Sequence, residues 1–209
     1  MTFYPPDASV PDELIGEHFI LRPLRPAHAK MDFDALMASK ELLRRWSQTD
    51  WPADDFTLEQ NCADLARHEE DHQHRRAFTF TVLDLSGEAC LGCVYVVPLA
   101  RCLNAAEVGA EELEAMGEHD ALVQFWIRAD RLAEELDRRL LYGLIDWFEQ
   151  EWAFTGVSHG TWSQDSRQVH LLEESSLEPS HRLSFFGVGD RASSPFLVFG
   201  PGREDRLSR

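Results

Sequence analysis

Phe125-Trp126-Ile127-Arg128-Ala129-Asp130-Arg131-Leu132-Ala133-Glu134-Glu135-Leu136-Asp137 is the stretch that decides the fold. Its apolar start reads as a strand and its end as the beginning of a long helix. A strand that runs into a helix N-terminus is the layout of a backbone anion cradle, where free N–H groups and the helix dipole meet a negative ligand. Such a cradle favours glycines, which let the backbone approach the ligand. Here the corresponding positions are rich in carboxylates.

Downstream, Leu132, Leu136, Leu140, Leu144 and Phe148 recur every four residues, widened by Leu141, Ile145 and Trp152. That stripe predicts one helix from about 131 to 152, packed on a sheet. Asp130 is its expected N-cap. Thr155-Gly156 ends it, and a strand is expected at 157–162, a short helix at 165–175, and strands at 181–188 and 195–200.

Upstream, residues 1–17 read as an irregular arm and 18–24 as a strand. Residues 26–46 read as a helix. A second helix follows Thr57, with Leu58, Cys62, Leu65 and Ala66 as its apolar stripe. Strands at 77–85 and 90–99 flank a turn at Ser86-Gly87-Glu88, and 121–128 is the next strand. Between them lies an acidic insertion, 100–120, densest from 104, where Glu107, Glu111, Glu112, Glu114, Glu118 and Asp120 occur. Residues 201–209 read as a flexible tail. The order predicts a single α/β domain over 18–200, a mixed sheet with helices on both faces.

The chain has 209 residues and a formal net charge of −17. That charge disfavours nucleic acid and anionic membrane and favours an amine or a basic peptide. The N-terminal stretch lacks the basic and apolar regions of a signal peptide, and no apolar run approaches the ~20 residues of a membrane span. A cytoplasmic protein is expected, with its four cysteines reduced. Cys90-Leu91-Gly92-Cys93 is a lone C-x-x-C. In a regular strand the two thiols point to opposite faces and cannot converge without a bulge, so no metal is assigned to them. His68-Glu69-Glu70-Asp71-His72 matches H-E-x-x-H literally. Its surroundings are charged and no third ligand is evident, so a solvated helix face is expected rather than a catalytic zinc.

Four stretches together resemble the GNAT acetyltransferase superfamily, in the flavour of its ribosomal-protein N-acetyltransferases. They are Phe19-Ile20-Leu21-Arg22-Pro23-Leu24, Gly92-Cys93-Val94-Tyr95-Val96, Trp126-Ile127-Arg128 with the helix ending Leu144-Ile145-Asp146-Trp147-Phe148, and Leu171-Leu172-Glu173-Glu174. The resemblance covers roughly residues 18–200. It implies an acetyl-CoA site in a splay between two strands, with pantetheine paired to the backbone of Phe125, Trp126, Ile127 and Arg128. It places the pyrophosphate at the N-terminus of the following helix, around Leu132, Ala133, Glu135 and Asp137. The family's Arg or Gln falls on Leu132, its middle Gly on Glu135 and its last Gly or Ala on Asp137, with Glu134 as a further acid. A cofactor-contacting Asn falls on Asp165, a following Ser on Gln168, and the Gly-Phe that ends the last stretch on Ser176 and Leu177. A general-acid Tyr falls on Leu172. His159 is the one candidate base.

Two unit charges ~4 Å apart repel by about 4 kcal/mol at a surface-like effective dielectric. The departures therefore imply a divergent member that has lost conventional acetyl-CoA binding and serves as a binding module or holds another ligand. The alternative is an active acetyl-CoA-dependent N-acetyltransferase acting on a peptide N-terminus or small amine.

Overall fold

The computed structural model describes residues 3–109, 117, 119–185 and 194–201. In chain order the elements are β1 (Leu14–Ile15), β2 (Ile20–Pro23), α1 (Ala29–Ala38), α2 (Lys40–Ser47), α3 (Leu58–Gln73), β3 (Phe78–Leu83), β4 (Cys90–Pro98) and α4 (Leu99–Ala105). They continue with β5 (Asp120–Ile127), α5 (Leu136–Glu151), β6 (Gly156–Trp162), α6 (Ser166–Glu173), β7 (Glu178–Leu183) and β8 (Phe196–Gly200). The strands form one mixed sheet in the order β1-β2-β3-β4-β5-β6-β8-β7. Among the described strands only β5 and β6 pair in parallel, and the other neighbour pairs are antiparallel.

Alternation along β5 sorts the two faces. Ala121, Val123, Phe125 and Ile127 join the core that α5 covers, with Leu136, Leu140, Leu144 and Phe148. Trp126 points the other way, into a cluster with Leu36 and Leu43 of the α1–α2 pair and Leu65 of α3. Leu122 meets Leu99 and Leu103 of α4. Helices thus cover both faces, as the sequence predicts.

Several boundaries move. The predicted helix over 26–46 is two helices, α1 and α2, separated at Ser39 (φ −115°, ψ 14°). Ser39 is buried, and its hydroxyl accepts the Ala129 N–H at 3.2 Å, so it serves the β5–α5 connection. The predicted 131–152 helix begins only at Leu136. Residues Ala129–Glu134 form a 3-10 turn, and Glu135 adopts left-handed backbone (φ 54°, ψ 30°), which stops the helix from extending backwards. Asp130 caps nothing there; both its oxygens accept from Arg128, at 3.0 and 2.8 Å.

The segment read as an arm contributes to the core. Tyr4 is fully buried against Phe78, Trp152 and Phe154. Its hydroxyl accepts the Ala153 N–H at 2.9 Å and donates to the Ser9 carbonyl at 3.1 Å. The acidic insertion begins later than 100, because Leu99 and Leu103 bury one face of α4. Its residues 110–116 and 118 lie outside the described residues, as do 186–193 of the predicted 181–188 strand and its surroundings, and 202–209 of the tail.

Helix α3 starts where Thr57 predicts. Thr57 Oγ1 accepts the Gln60 N–H at 3.2 Å, and the Gln60 side chain accepts the Thr57 N–H at 2.8 Å. Such a reciprocal cap contributes about 1 kcal/mol. The buried face is rotated from the expected one, however. Asn61 and Leu65 are buried, whereas Leu58 and Cys62 are exposed. Polar side chains with inward partners outcompete a weak apolar stripe: Asn61 donates to the Ala29 carbonyl and to Asp32.

Candidate ligand site in the β5–β6 splay

β5 and β6 pair over only four positions, from Asp120–Gly156 to Val123–His159. Past Val123 the strands part. β5 continues to Ile127 against β4, while β6 continues to Trp162 against β8. Trp126 faces β4 with its carbonyl, which sits 2.0 Å from where a Cβ on Gly92 would be. Backbone groups alternate along a strand, so those of Phe125 and Ile127 face the splay.

A cavity of about 330 Å³ lies at this opening. Trp126, Ile127, Leu132 and Asp137 line one side, and Gln164, Asp165, Ser166, Arg167 and Gln168 at the start of α6 line another. Leu42, Arg45 and Trp46 of α2 complete it. The sequence-named Trp126, Ile127, Leu132, Asp137 and Asp165 are therefore brought together. Phe125 contributes its carbonyl. Arg128 turns away to Asp130, Ala133 sits in the 3-10 turn, and Glu135 provides the left-handed residue before α5.

Two side chains of α6 already occupy the opening. Gln168 Nε2 donates to the Phe125 carbonyl at 2.7 Å, using one of the splay-facing acceptors. Arg167 donates to both oxygens of Asp137, at 2.5 and 2.8 Å, and to the Leu132 carbonyl at 2.8 Å. Asp137 is 2 % exposed, so this carboxylate faces Arg167 rather than solvent. The hydrogen bonds to Asp137 raise the Arg167 pKa above its ordinary value. Asp165 caps α6 by accepting the Gln168 N–H at 3.1 Å, and burial pushes its carboxyl up.

The electrostatics differ from the expectation of an anionic mouth. Residues 128–139 hold four carboxylates and four arginines. Arg131 pairs with Glu134 at 3.1 Å, Arg138 lies 3.9 Å from Glu135, and Arg167 closes on Asp137. Arg138 also holds Glu174 at 2.7 Å, and that hydrogen bond keeps the Glu174 carboxyl below its usual range. The carboxylates are real but largely answered. α5 has no side-chain cap at Glu135.

His159 does not reach the site. It is 2 % exposed, packs edge-on against Phe148, and among the described residues has no hydrogen-bond partner at either ring nitrogen. Desolvation pushes its pKa down to about 3, so it is neutral and enclosed beneath α5. Leu172, at the position of the resemblance's general acid, is buried in the same core.

The H-E-x-x-H histidines lie on α3 but face inward, not to solvent. His68 Nδ1 is 3.0 Å from the Thr79 hydroxyl. His72 meets Phe78 and Phe80 edge-on, and desolvation lowers its pKa to about 4. Glu70 and Asp71 between them pair with Arg76. The sequence reading missed Arg167, Arg45 and Trp46. Nothing local flags Arg167, because its partner lies 30 residues away.

The mixed eight-stranded sheet with helices on both faces gives this chain the fold of solved acetyltransferases. Among solved structures, ribosomal-protein-S5-alanine acetyltransferase from Vibrio fischeri superposes with a TM-score of 0.70 at 16% identity, covering 93% of this chain and 98% of that one. RimL, a ribosomal L7/L12 α-N-protein acetyltransferase in complex with coenzyme A, gives 0.69 at 9% identity, over 90% and 95% of the two chains. The microcin C7 self-immunity acetyltransferase MccE, in complex with acetyl-CoA and AMP, gives 0.68 at 10% identity, over 88% and 92%. No protein-family model and no curated protein matches the sequence. Among the described residues, no helix is long and apolar enough to cross a membrane.

Proposed function

We propose that this chain is a divergent acetyltransferase-fold protein whose splay no longer takes acetyl-CoA in the conventional way and instead serves as a binding module for another ligand. The observation that carries this reading is the double occupation of the opening by α6. Gln168 uses the Phe125 carbonyl at 2.7 Å, and Arg167 ties the Leu132 carbonyl and Asp137 to the same helix. An extended pantetheine arm would have to displace both. The chemistry for acetyl transfer is thin as well. A base must take the amine proton and an acid must serve the leaving thiolate, or water must replace them. His159 is enclosed and Leu172 has no proton to give.

The remaining cavity, about 330 Å³, suits a small ligand. The acidic surface, formally −17, favours an amine or basic peptide over nucleic acid. A cytoplasmic setting fits the same reading.

A second reading keeps the enzyme. The matched arginines remove much of the repulsion expected at the helix N-terminus, and α5 is left without a side-chain cap. In it, Gln168 swings aside and acetyl-CoA enters to acetylate a peptide N-terminus or small amine.

Calorimetric titration of acetyl-CoA separates the two. The first reading expects no binding heat up to millimolar cofactor. Micromolar binding, with coenzyme A released when an amine is added, establishes the second.

A further inference from the structure

Cys90 and Cys93 stand three apart in β4, where a regular strand would aim their thiols to opposite faces. The register shows why they do not. Leu83 pairs with Cys90 while the adjacent Val82 pairs with Gly92, so Leu91 is an extra residue opposite no partner. This bulge turns both thiols to the α1 side of the sheet, where Asp32 waits. Cys93 Sγ lies 3.3 Å and Cys90 Sγ 3.9 Å from the same oxygen, Asp32 Oδ1. All three ligand atoms fall within 4.8 Å of one another, and all three residues are buried.

We propose that Asp32, Cys90 and Cys93 form a structural site for a soft divalent transition-metal ion of the zinc class, joining α1 to the β4 bulge. The geometry is the first support. With a metal–sulfur bond of about 2.3 Å and a metal–oxygen bond of about 2.0 Å, the sulfur–oxygen edge of a tetrahedron is about 3.5 Å. The observed 3.3 and 3.9 Å bracket that edge. The second support is the outer arrangement. Asn61 Nδ2 donates to Asp32 Oδ2 at 2.9 Å and to the Ala29 carbonyl at 3.0 Å. One carboxylate oxygen is thus fixed from behind and the other is presented to the sulfurs, as outer groups orient ligands at metal sites. The buried Thr81 hydroxyl, 3.5 Å from Cys90 Sγ, supplies a further oxygen at the cluster.

Binding would release the two thiol protons to solvent and leave a dithiolate–carboxylate around the metal. Because the three residues are 1–2 % exposed, the site has a structural rather than catalytic character and loads as the chain folds.

Cobalt reports on this directly. The full chain is unfolded with chelator under reducing conditions and refolded with Co²⁺. A near-ultraviolet thiolate-to-cobalt charge-transfer band is expected, saturating at one equivalent and bleached by Zn²⁺. It persists in the Cys62→Ser/Cys102→Ser double variant and disappears in Cys93→Ser. Asn61→Leu is expected to weaken metal affinity about 10–100-fold. The double variant leaves the buried cluster intact, so it decides the matter even if Cys93→Ser does not fold. Absence of the band from the wild type, its loss in the double variant, or its dependence on His68 and His72 instead of the thiols overturns the proposal.

Discussion

Arg167 Nη2 holds two partners at once, Asp137 Oδ1 and the Leu132 carbonyl, each at 2.8 Å. One guanidinium therefore links α6, the 3-10 turn before α5, and a carboxylate in the first turn of α5 itself. Arg167 is 45 % exposed on its side chain and Asp137 only 2 %. The consequences of breaking the pair fall on the buried partner.

Arg167→Met should destabilise the fold by about 2 kcal/mol, below the usual cost of breaking a fully buried pair because solvent reaches the guanidinium side. Arg167→Met combined with Asp137→Leu should recover much of that loss, since neither charge then remains unanswered. Urea midpoints of the three proteins check this. Equal stability of Arg167→Met and wild type would count against a structural role for the pair.

Glu135 sits in left-handed backbone, a conformation that costs a residue with a Cβ about 1–2 kcal/mol. Glycine relieves that strain but loses about 0.5–1 kcal/mol through its freer unfolded chain. Glu135→Gly is thus expected to stabilise by about 0.5–1 kcal/mol and raise Tm by about 2 °C. Glu135→Val should lower Tm, because branching at Cβ worsens the strain.

Stability should fall as the medium is acidified below about pH 6.5, the ordinary histidine pKa. His159 is neutral when folded, with a pKa of about 3, and the unfolded chain takes up the proton first. Its contribution is full above the unfolded pKa and drains away at about 1.4 kcal/mol per pH unit below it. His159→Leu should remove that slope between pH 6 and 4. His72, at about 4, adds a second, smaller dependence of the same sign. Chemical denaturation at several pH values, wild type against variant, gives the comparison. Parallel curves would mean that His159 is not buried neutral.

At Gly92 a methyl group has no room. A Cβ there would lie 2.0 Å from the Trp126 carbonyl oxygen, which belongs to backbone and cannot rotate away. Gly92→Ala should cost at least about 3 kcal/mol, whereas Gly87→Ala, at a turn with open space but φ 74°, should cost about 1 kcal/mol. Thermal or urea unfolding of both variants tests the ranking.

The periodicities that are strong along the chain were legible. The stripe Leu136, Leu140, Leu144, Phe148 and the alternation at Phe78, Phe80, Val82 mark side chains that meet in one core, and each pattern is written in residues close along the chain. The rotated face of α3 was not legible, because Asn61 turns inward only when Asp32 is there to receive it. The late start of α5 depends on a left-handed Glu135, which residue type alone argues against. The candidate site splits the same way. Of the stretch Phe125 to Asp137, Trp126, Ile127, Leu132 and Asp137 line one cavity. The balance of its charges rests on Arg138, Glu174 and Arg167, which meet only after the chain has folded. The bulge at Leu91 was invisible for a related reason: a count of residues between two cysteines assumes that every residue advances the strand equally.

The four-position parallel seam between β5 and β6 divides the sheet into two antiparallel blocks, β1–β5 and β6–β8. Pulled apart across that line, the two blocks would remain tethered by α5, which follows β5 and leads into β6. The same line is the natural place to sever the gene into two complementing fragments, each keeping its own hairpins and meeting its mate along a short, renewable edge.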